Sequence, residues 1–278
     1  MIEIRNCDIN LHDTVTCGQC FRFFEEEDNS YTMILSDRVI NVKQKNNNLF
    51  IESNNDDKLE EVVRYYFDLD RDYDEINKKI IKLDNTIKKC VENSKGLKIL
   101  NQEPFEMLIS YIISQNNKVS RISNSINYIS EKFGSKVLFK DKEYFLFPKY
   151  KQLKNIDLNI LKESKVGFRD KYILNALKRI EDGKLNINEI NNMNTKEALE
   201  YLEKVKGIGP KVASCILLFG YSRLDVFPID TWVKKAIEYL YDDIPANQNK
   251  ITEFAHEKYG DYCGLALQYM FHYMRNKI

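Results

Sequence analysis

The chain has no surplus charge of either sign: 42 Lys and Arg are offset by 42 Asp and Glu, so the formal net charge at neutral pH is zero. A globally basic surface is excluded, and any hold on a polyanion has to be local. Cysteines are few and scattered, at 7, 17, 20, 90, 215 and 263. Only Cys17 and Cys20 have metal-ligand spacing and no second pair matches them, which argues against a zinc module and for reduced thiols in an intracellular protein. No apolar run is long enough to cross a bilayer, and the opening MIEIRNCDIN lacks the basic start and apolar stretch of a signal peptide. A cytoplasmic protein with no membrane partner is the expectation.

What is present favours a folded chain. Hydrophobic residues make up 43%, with 17 Tyr and 15 Phe, ample for a core. At 278 residues, two units are expected. In the first, YTMIL at 31–35, RVINVKQ at 38–44 and LFIES at 49–53 read as short antiparallel strands divided by Asn, Asp and Ser. From Lys58 the period changes, since Leu59, Val62, Val63, Tyr66 and Phe67 share one helical face. The second unit reads as all helical, with helices beginning near Pro104, Val119, Arg169, Thr195, Pro210, Asp230, Asn247 and Tyr262, and a loop-like region around 138–157. The fold class is therefore α+β: an antiparallel domain over 1–95 and an all-helical domain over 96–278.

The chemistry concentrates in residues 204–232, KVKGIGPKVASCILLFGYSRLDVFPIDTW. Gly207 and Gly209 sit at a tight corner between two helices, where free backbone amides and a helix N-terminus can hold a phosphate without net positive charge. Lys204 and Lys206 add local charge, although a GxG corner is by itself also what a plain helical hairpin uses. Lys211 follows Pro210 and so falls in the first turn, where the helix dipole and the apolar neighbours Val212 and Ile216 disfavour the ammonium. Such a lysine can be a nucleophile toward a sugar carbon, or simply a phosphate ligand. Asp230 in FPIDTW is a natural N-cap, and an ionised carboxylate held there can also stabilise positive charge developing on a sugar.

Taken together, KGIGPKVASC followed nineteen residues after Lys211 by the Asp of PIDTW resembles the helix-hairpin-helix DNA glycosylases with a Gly/Pro-rich loop and a catalytic aspartate. A lysine at this place is similar to that of the bifunctional glycosylase/lyases, and the chain looks most like the 8-oxoguanine DNA glycosylases. CGQCFR at 17–22, YFDLDRDY at 66–73, SQNNKVSR at 114–121, GFR at 167–169 and GLALQYMF at 264–271 carry the likeness across most of the length. The resemblance implies a TATA-binding-protein-like sheet domain with flanking helices ahead of a helix-hairpin-helix domain, and a monomer acting on double-stranded DNA that contains 8-oxoguanine.

It also implies roles. Lys211 would attack C1′ with Asp230 supporting the oxocarbenium-like transition state, and β-elimination from the Schiff base would nick the strand. Gly18 would offer its carbonyl to the N7 hydrogen that distinguishes 8-oxoguanine from guanine, with Cys215 and Phe271 sandwiching the everted base. Asn116 would fill the gap in the duplex, and Arg121 and Arg169 would face the orphaned base. The carbonyls of Val205 and Ile208 would hold a structural monovalent or divalent cation near a DNA phosphate, with no cofactor required for the chemistry. One position departs from the pattern: Leu267 stands where a glutamine that reads the base is expected, with Gln268 beside it. Rival readings are a glycosylase for another oxidised base, although Cys263 alone after Asp230 cannot supply the iron–sulfur cluster of the endonuclease III type, and a non-catalytic hairpin that only grips DNA.

Overall fold

A computed structural model describes residues 1–241, 244 and 247–277. The N-terminal unit is built on a five-stranded antiparallel sheet in the spatial order Ile2–Ile4, Asn48–Ser53, Val39–Lys45, Tyr31–Ile34, Phe23–Glu25. Register follows the alternation of apolar residues: Met33 pairs with Ile40 and Val42 with Ile51, and all four are buried. Helices Leu11–Thr16 and Leu59–Tyr66 flank the sheet, and their Leu11, Val15, Leu59 and Val63 join Ile4, Met33, Ile40 and Leu49 in one core.

That core draws on residues 4–67 and Leu100. The helices Tyr73–Leu83 and Lys88–Asn93, grouped with the first unit on sequence, instead bury Tyr73, Ile76, Ile80, Cys90 and Val91 in the large helical core. Chain order and packing diverge because these helices follow the sheet in sequence yet offer their apolar faces to the helices beyond residue 100.

The helical unit centres on two very apolar helices, Pro104–Ser114 and Pro210–Gly220, surrounded by amphipathic ones. Both start with proline at the first turn, where no donor is lost. It is not wholly helical: the region expected to be a loop holds an antiparallel hairpin, Lys136–Phe139 with Lys142–Phe145, and a short helix Tyr150–Leu153. The hairpin turns through Lys140 and Asp141, both at positive φ (50° and 58°), the backbone that a two-residue turn demands and that these residue types do not advertise. Its Phe139 and Tyr144 pack on Ile34 and Val39 of the large sheet, tying the two units together. No helix among the described residues is long and apolar enough to cross a membrane.

Candidate active site

Helix Thr195–Glu203 and helix Pro210–Gly220 meet at the glycine corner. Gly207 has φ +89°, and a Cβ there would lie 2.2 Å from the Tyr172 ring, so backbone freedom and close approach both require glycine. Gly209 caps the second helix with no side-chain hydrogen bond, and nothing stands within 4 Å of where its Cβ would be. The first amides of that helix are thus left open, as an anion site needs. Within the corner, Ile208 N–H donates to the Val205 carbonyl at 3.0 Å and Lys206 N–H to Asn175 Oδ1 at 2.9 Å.

Lys211 leans inward from this first turn, with Nζ 5.7 Å from the centre of the Tyr111 ring. Tyr111 is itself fixed by stacking on Phe219, ring centres 5.5 Å apart at 13°. Asp230 caps helix Thr231–Leu240: its Oδ1 accepts from Trp232 N–H and Val233 N–H, each at 2.9 Å. One carboxylate oxygen is spent on the cap, and the residue also faces the cleft. The expected depression of the Lys211 pKa is overturned. The Cys215 sulfur one turn along and the Asp230 carboxylate more than offset burial, so the pKa lies above the ordinary lysine value of 10.5. The resting form is the ammonium. Burial in turn pushes the Cys215 thiol up.

These groups line a cleft of about 820 Å³ together with Gly18, Asn116, Gly209, Trp232, Phe271 and Arg275. At its floor a smaller recess of about 70 Å³ is walled by Cys17, Gly18, Tyr111, Lys211, Cys215, Phe219, Asp230, Leu267, Gln268 and Phe271. Six residues expected at the reaction centre, Lys211, Asp230, Gly18, Cys215, Leu267 and Phe271, therefore share one pocket. Other cavities, of about 620 and 220 Å³, lie at the opposite end of helix Pro104–Ser114 and carry neither Lys211 nor Asp230.

Gly18 has φ +87° in a loop that its neighbour holds rigid. Gln19 is fully buried; its amide nitrogen donates to the carbonyls of Thr14 and Lys98, both at 2.8 Å, and its side-chain oxygen accepts from Leu100 N–H at 2.8 Å. The Gln19 carbonyl accepts from Gln102 Nε2 at 2.8 Å and from the Tyr111 hydroxyl at 3.3 Å.

At the rim, Asn116 is exposed with φ 45°, a left-handed backbone that asparagine tolerates. Arg121 is exposed as expected. Arg169 is not: it is buried, and its guanidinium donates to the carbonyls of Gln115, Asn116 and Val166. In this conformation it braces the Asn116 loop and presents no free edge, because the carbonyls at the end of helix Pro104–Ser114 need donors. Sequence reasoning passed over Phe168, 55% exposed beside Arg169, whose guanidinium lies 4.5 Å from its ring centre. A large apolar residue within the GFR segment was the available signal. Gln268 was noticed only as the neighbour of Leu267, yet it is buried and lines the recess.

A family model described as 8-oxoguanine DNA glycosylase, N-terminal domain, matches residues 1–108. The probable N-glycosylase/DNA lyase of Methanothermobacter thermautotrophicus is 29% identical over 237 residues, 78% of this chain and 75% of that protein. The N-glycosylase/DNA lyase of Saccharomyces cerevisiae is 28% identical over 278 residues, covering 91% and 73%. Among solved structures, the Clostridium acetobutylicum 8-oxoguanine glycosylase/lyase in complex with double-stranded DNA containing cytosine opposite 8-oxoguanine is 41% identical, with a TM-score of 0.95 over 99% of this chain and 96% of that one.

Proposed function

The chain belongs to the 8-oxoguanine DNA glycosylase/lyase family, and from that premise we propose how its own residues release 8-oxoguanine from duplex DNA and then cut the strand. Lys211 is the nucleophile. Its nitrogen bonds to C1′ of the everted nucleotide as the bond from C1′ to the base breaks, and the base leaves with the bonding electron pair. Opening of the sugar gives a Schiff base, loss of a C2′ proton expels the 3′ phosphate, and water then frees the lysine. Asp230, aimed by its two backbone bonds, stabilises positive charge at C1′ while the base departs. Because Lys211 rests as an ammonium, one proton must leave before it can attack.

Gly18 supplies the carbonyl that accepts the N7 hydrogen of the oxidised base. Its rigid mounting on Gln19 supports that role, since a carbonyl free to move would discriminate poorly. Cys215 and Phe271 flank the base, Asn116 and Phe168 enter the duplex as it leaves, and Arg121 faces the orphaned partner while Arg169 braces the Asn116 loop from behind. Extrusion costs a few kcal/mol, which inserted side chains offset. The amides at Gly207, Gly209 and the following helix hold a phosphate. The carbonyls of Val205 and Ile208 would be the protein's oxygen ligands to a structural cation there, which would help hold a DNA phosphate and take no part in the chemistry. We place the enzyme in the cytoplasm, at the nucleoid if the cell is prokaryotic.

The observation that carries this reading is the convergence of a lysine amine and a capping carboxylate, from two adjoining helix N-termini, on one recess floored by Gly18, Cys215 and Phe271. Borohydride reduction during turnover of an 8-oxoguanine duplex tests it. The wild type is expected to be trapped covalently on DNA and Lys211→Gln is not; a Lys211→Gln protein that still traps would place the nucleophile elsewhere.

A further inference from the structure

Leu267 can neither donate nor accept a hydrogen bond, yet it stands on the helix, Cys263–Lys277, that closes the base recess. Gln268 follows it and lines the same recess while only 4% exposed. The side-chain amides nearby are committed: Gln19 to carbonyls and an amide of the 14–100 region, Gln102 to the Gln19 carbonyl. The Gln268 amide is different: it lies beside the Cys17 thiol and makes no hydrogen bond among the described residues. An amide has two donors and two acceptor lone pairs, and a buried one is costly to leave idle. Most of this capacity therefore opens onto the recess.

We propose that Gln268 is the side chain that reads the everted base, and that the recess takes 8-oxopurines as a class, with or without a 2-amino group. The inference rests on the Lys211 and Gly18 roles proposed above. Cys17 immediately precedes Gly18, so an amide beside Cys17 stands near the carbonyl assigned to N7–H. On a purine the neighbouring exocyclic group is the one on C6, and an amide can present its NH₂ to an oxygen there. The 2-amino group lies across the ring. Of the remaining walls of the recess, Phe219, Pro228, Val233 and Leu267 offer it no side-chain donor or acceptor, and the Tyr111 hydroxyl is committed to the Gln19 carbonyl.

The test compares single-turnover base release from duplexes carrying 8-oxoguanine or 8-oxohypoxanthine, which lacks only the 2-amino group, opposite cytosine. The wild type is expected to release the two within about threefold, whereas a pocket built to bond the amino group would reject the analogue by on the order of 10⁴. Leu267→Gln is expected to restore a preference for 8-oxoguanine of about tenfold. Gln268→Leu is expected to slow release of both bases by about tenfold relative to borohydride trapping on an abasic duplex, which requires no base recognition. These are ratios within one preparation, so partial unfolding cannot imitate them. Release of 8-oxohypoxanthine more than about a hundredfold slower than 8-oxoguanine by the wild type overturns the proposal, as does an unmoved ratio in Gln268→Leu. Trapping on abasic DNA with release of neither oxopurine would instead sink the base assignment of the proposed function, and this inference with it.

Discussion

Asp230 carries two duties that substitution can separate. Its Oδ1 accepts two backbone N–H bonds at 2.9 Å that start helix Thr231–Leu240. Asparagine offers the same oxygen and caps about as well, so Asp230→Asn should change stability by only a few tenths of a kcal/mol, whereas Asp230→Ala loses the cap at about 1 kcal/mol. The charge is a different matter. A carboxylate about 4 Å from a sugar carbon gaining positive charge contributes on the order of 4 kcal/mol at an effective dielectric of 20. Removing it should slow base release by about 10³-fold, since each 1.36 kcal/mol is a factor of ten. Single-turnover release from an 8-oxoguanine duplex, read after alkaline cleavage, gives the rate, and thermal melting gives the fold. Asp230→Asn should melt with the wild type and react a thousandfold slower. If it reacts within about tenfold of the wild type, or if both variants lose activity in step with their melting temperatures, the carboxylate is a structural cap and the electrostatic argument fails.

Lys211 has its pKa raised above the lysine value by Cys215 and Asp230, so neutral amine is scarce at physiological pH. Borohydride trapping on abasic DNA should climb about tenfold per pH unit between roughly pH 6 and 9; a flat profile would mean the amine arrives deprotonated. Burial raises the Glu106 carboxyl from 4.5 to about 7, beside Arg22 at 3.9 Å. The folded state then binds the proton more tightly than the unfolded chain, so this group's contribution falls as pH rises from about 4.5 to 7, by at most about 3 kcal/mol. Chemical denaturation across that window should show the decline in the wild type and a flatter line in Glu106→Gln, which is neutral throughout; parallel lines would remove Glu106 as the cause. Phe168→Ala should slow release of a base-paired 8-oxoguanine by about tenfold and affect a flexible abasic duplex much less, because only the former pays for extrusion; equal losses would make Phe168 a general contact.

The sequence was legible wherever local rules and long-range packing agree. Strands over 31–53 are short apolar-rich runs divided by Asn, Asp and Ser, and helices starting at Pro104, Thr195, Pro210 and Asp230 carry a proline or a cap at their first turn, so their starts match the structure. The short strands Ile2–Ile4 and Phe23–Glu25 gave too few residues for a period. The hairpin at 136–145 was hidden because its turn uses Lys140 and Asp141 in place of glycine or asparagine, and its apolar residues answer to a sheet a hundred positions earlier. At the site, Lys211 and Asp230 announced themselves by position. The Lys211 protonation state did not, because Cys215 and Asp230 act through space, and a dipole-and-burial argument made along the chain omits both. Arg169 was misplaced for a similar reason: only the fold shows that three carbonyls claim its guanidinium.

The mounting of Gly18 explains why the cleft has to lie where the two units join. Its loop belongs by sequence to the sheet domain, but every bond that fixes the Gln19 side chain and carbonyl, apart from those to Thr14 and Cys17, reaches Lys98, Leu100, Gln102 or Tyr111. Tyr111 lies on the helix that packs against the one bearing Lys211, with its ring facing that lysine. A chain of buried hydrogen bonds and ring contacts therefore runs from Gln19, the neighbour of the carbonyl proposed to sense the base, through Tyr111 to the Lys211 amine. Buried networks of this kind resist displacement because breaking any member strands a polar group. Recognition is consequently held rigid with respect to chemistry, and the adjustable parts fall at the rim, where Asn116 and Phe168 stand exposed. On the proposed role of the Gly18 carbonyl, a base that fails to satisfy it is not accommodated by a shift of the loop, and the one hydrogen atom that separates 8-oxoguanine from guanine would be felt at C1′ as misplacement of the sugar relative to Lys211.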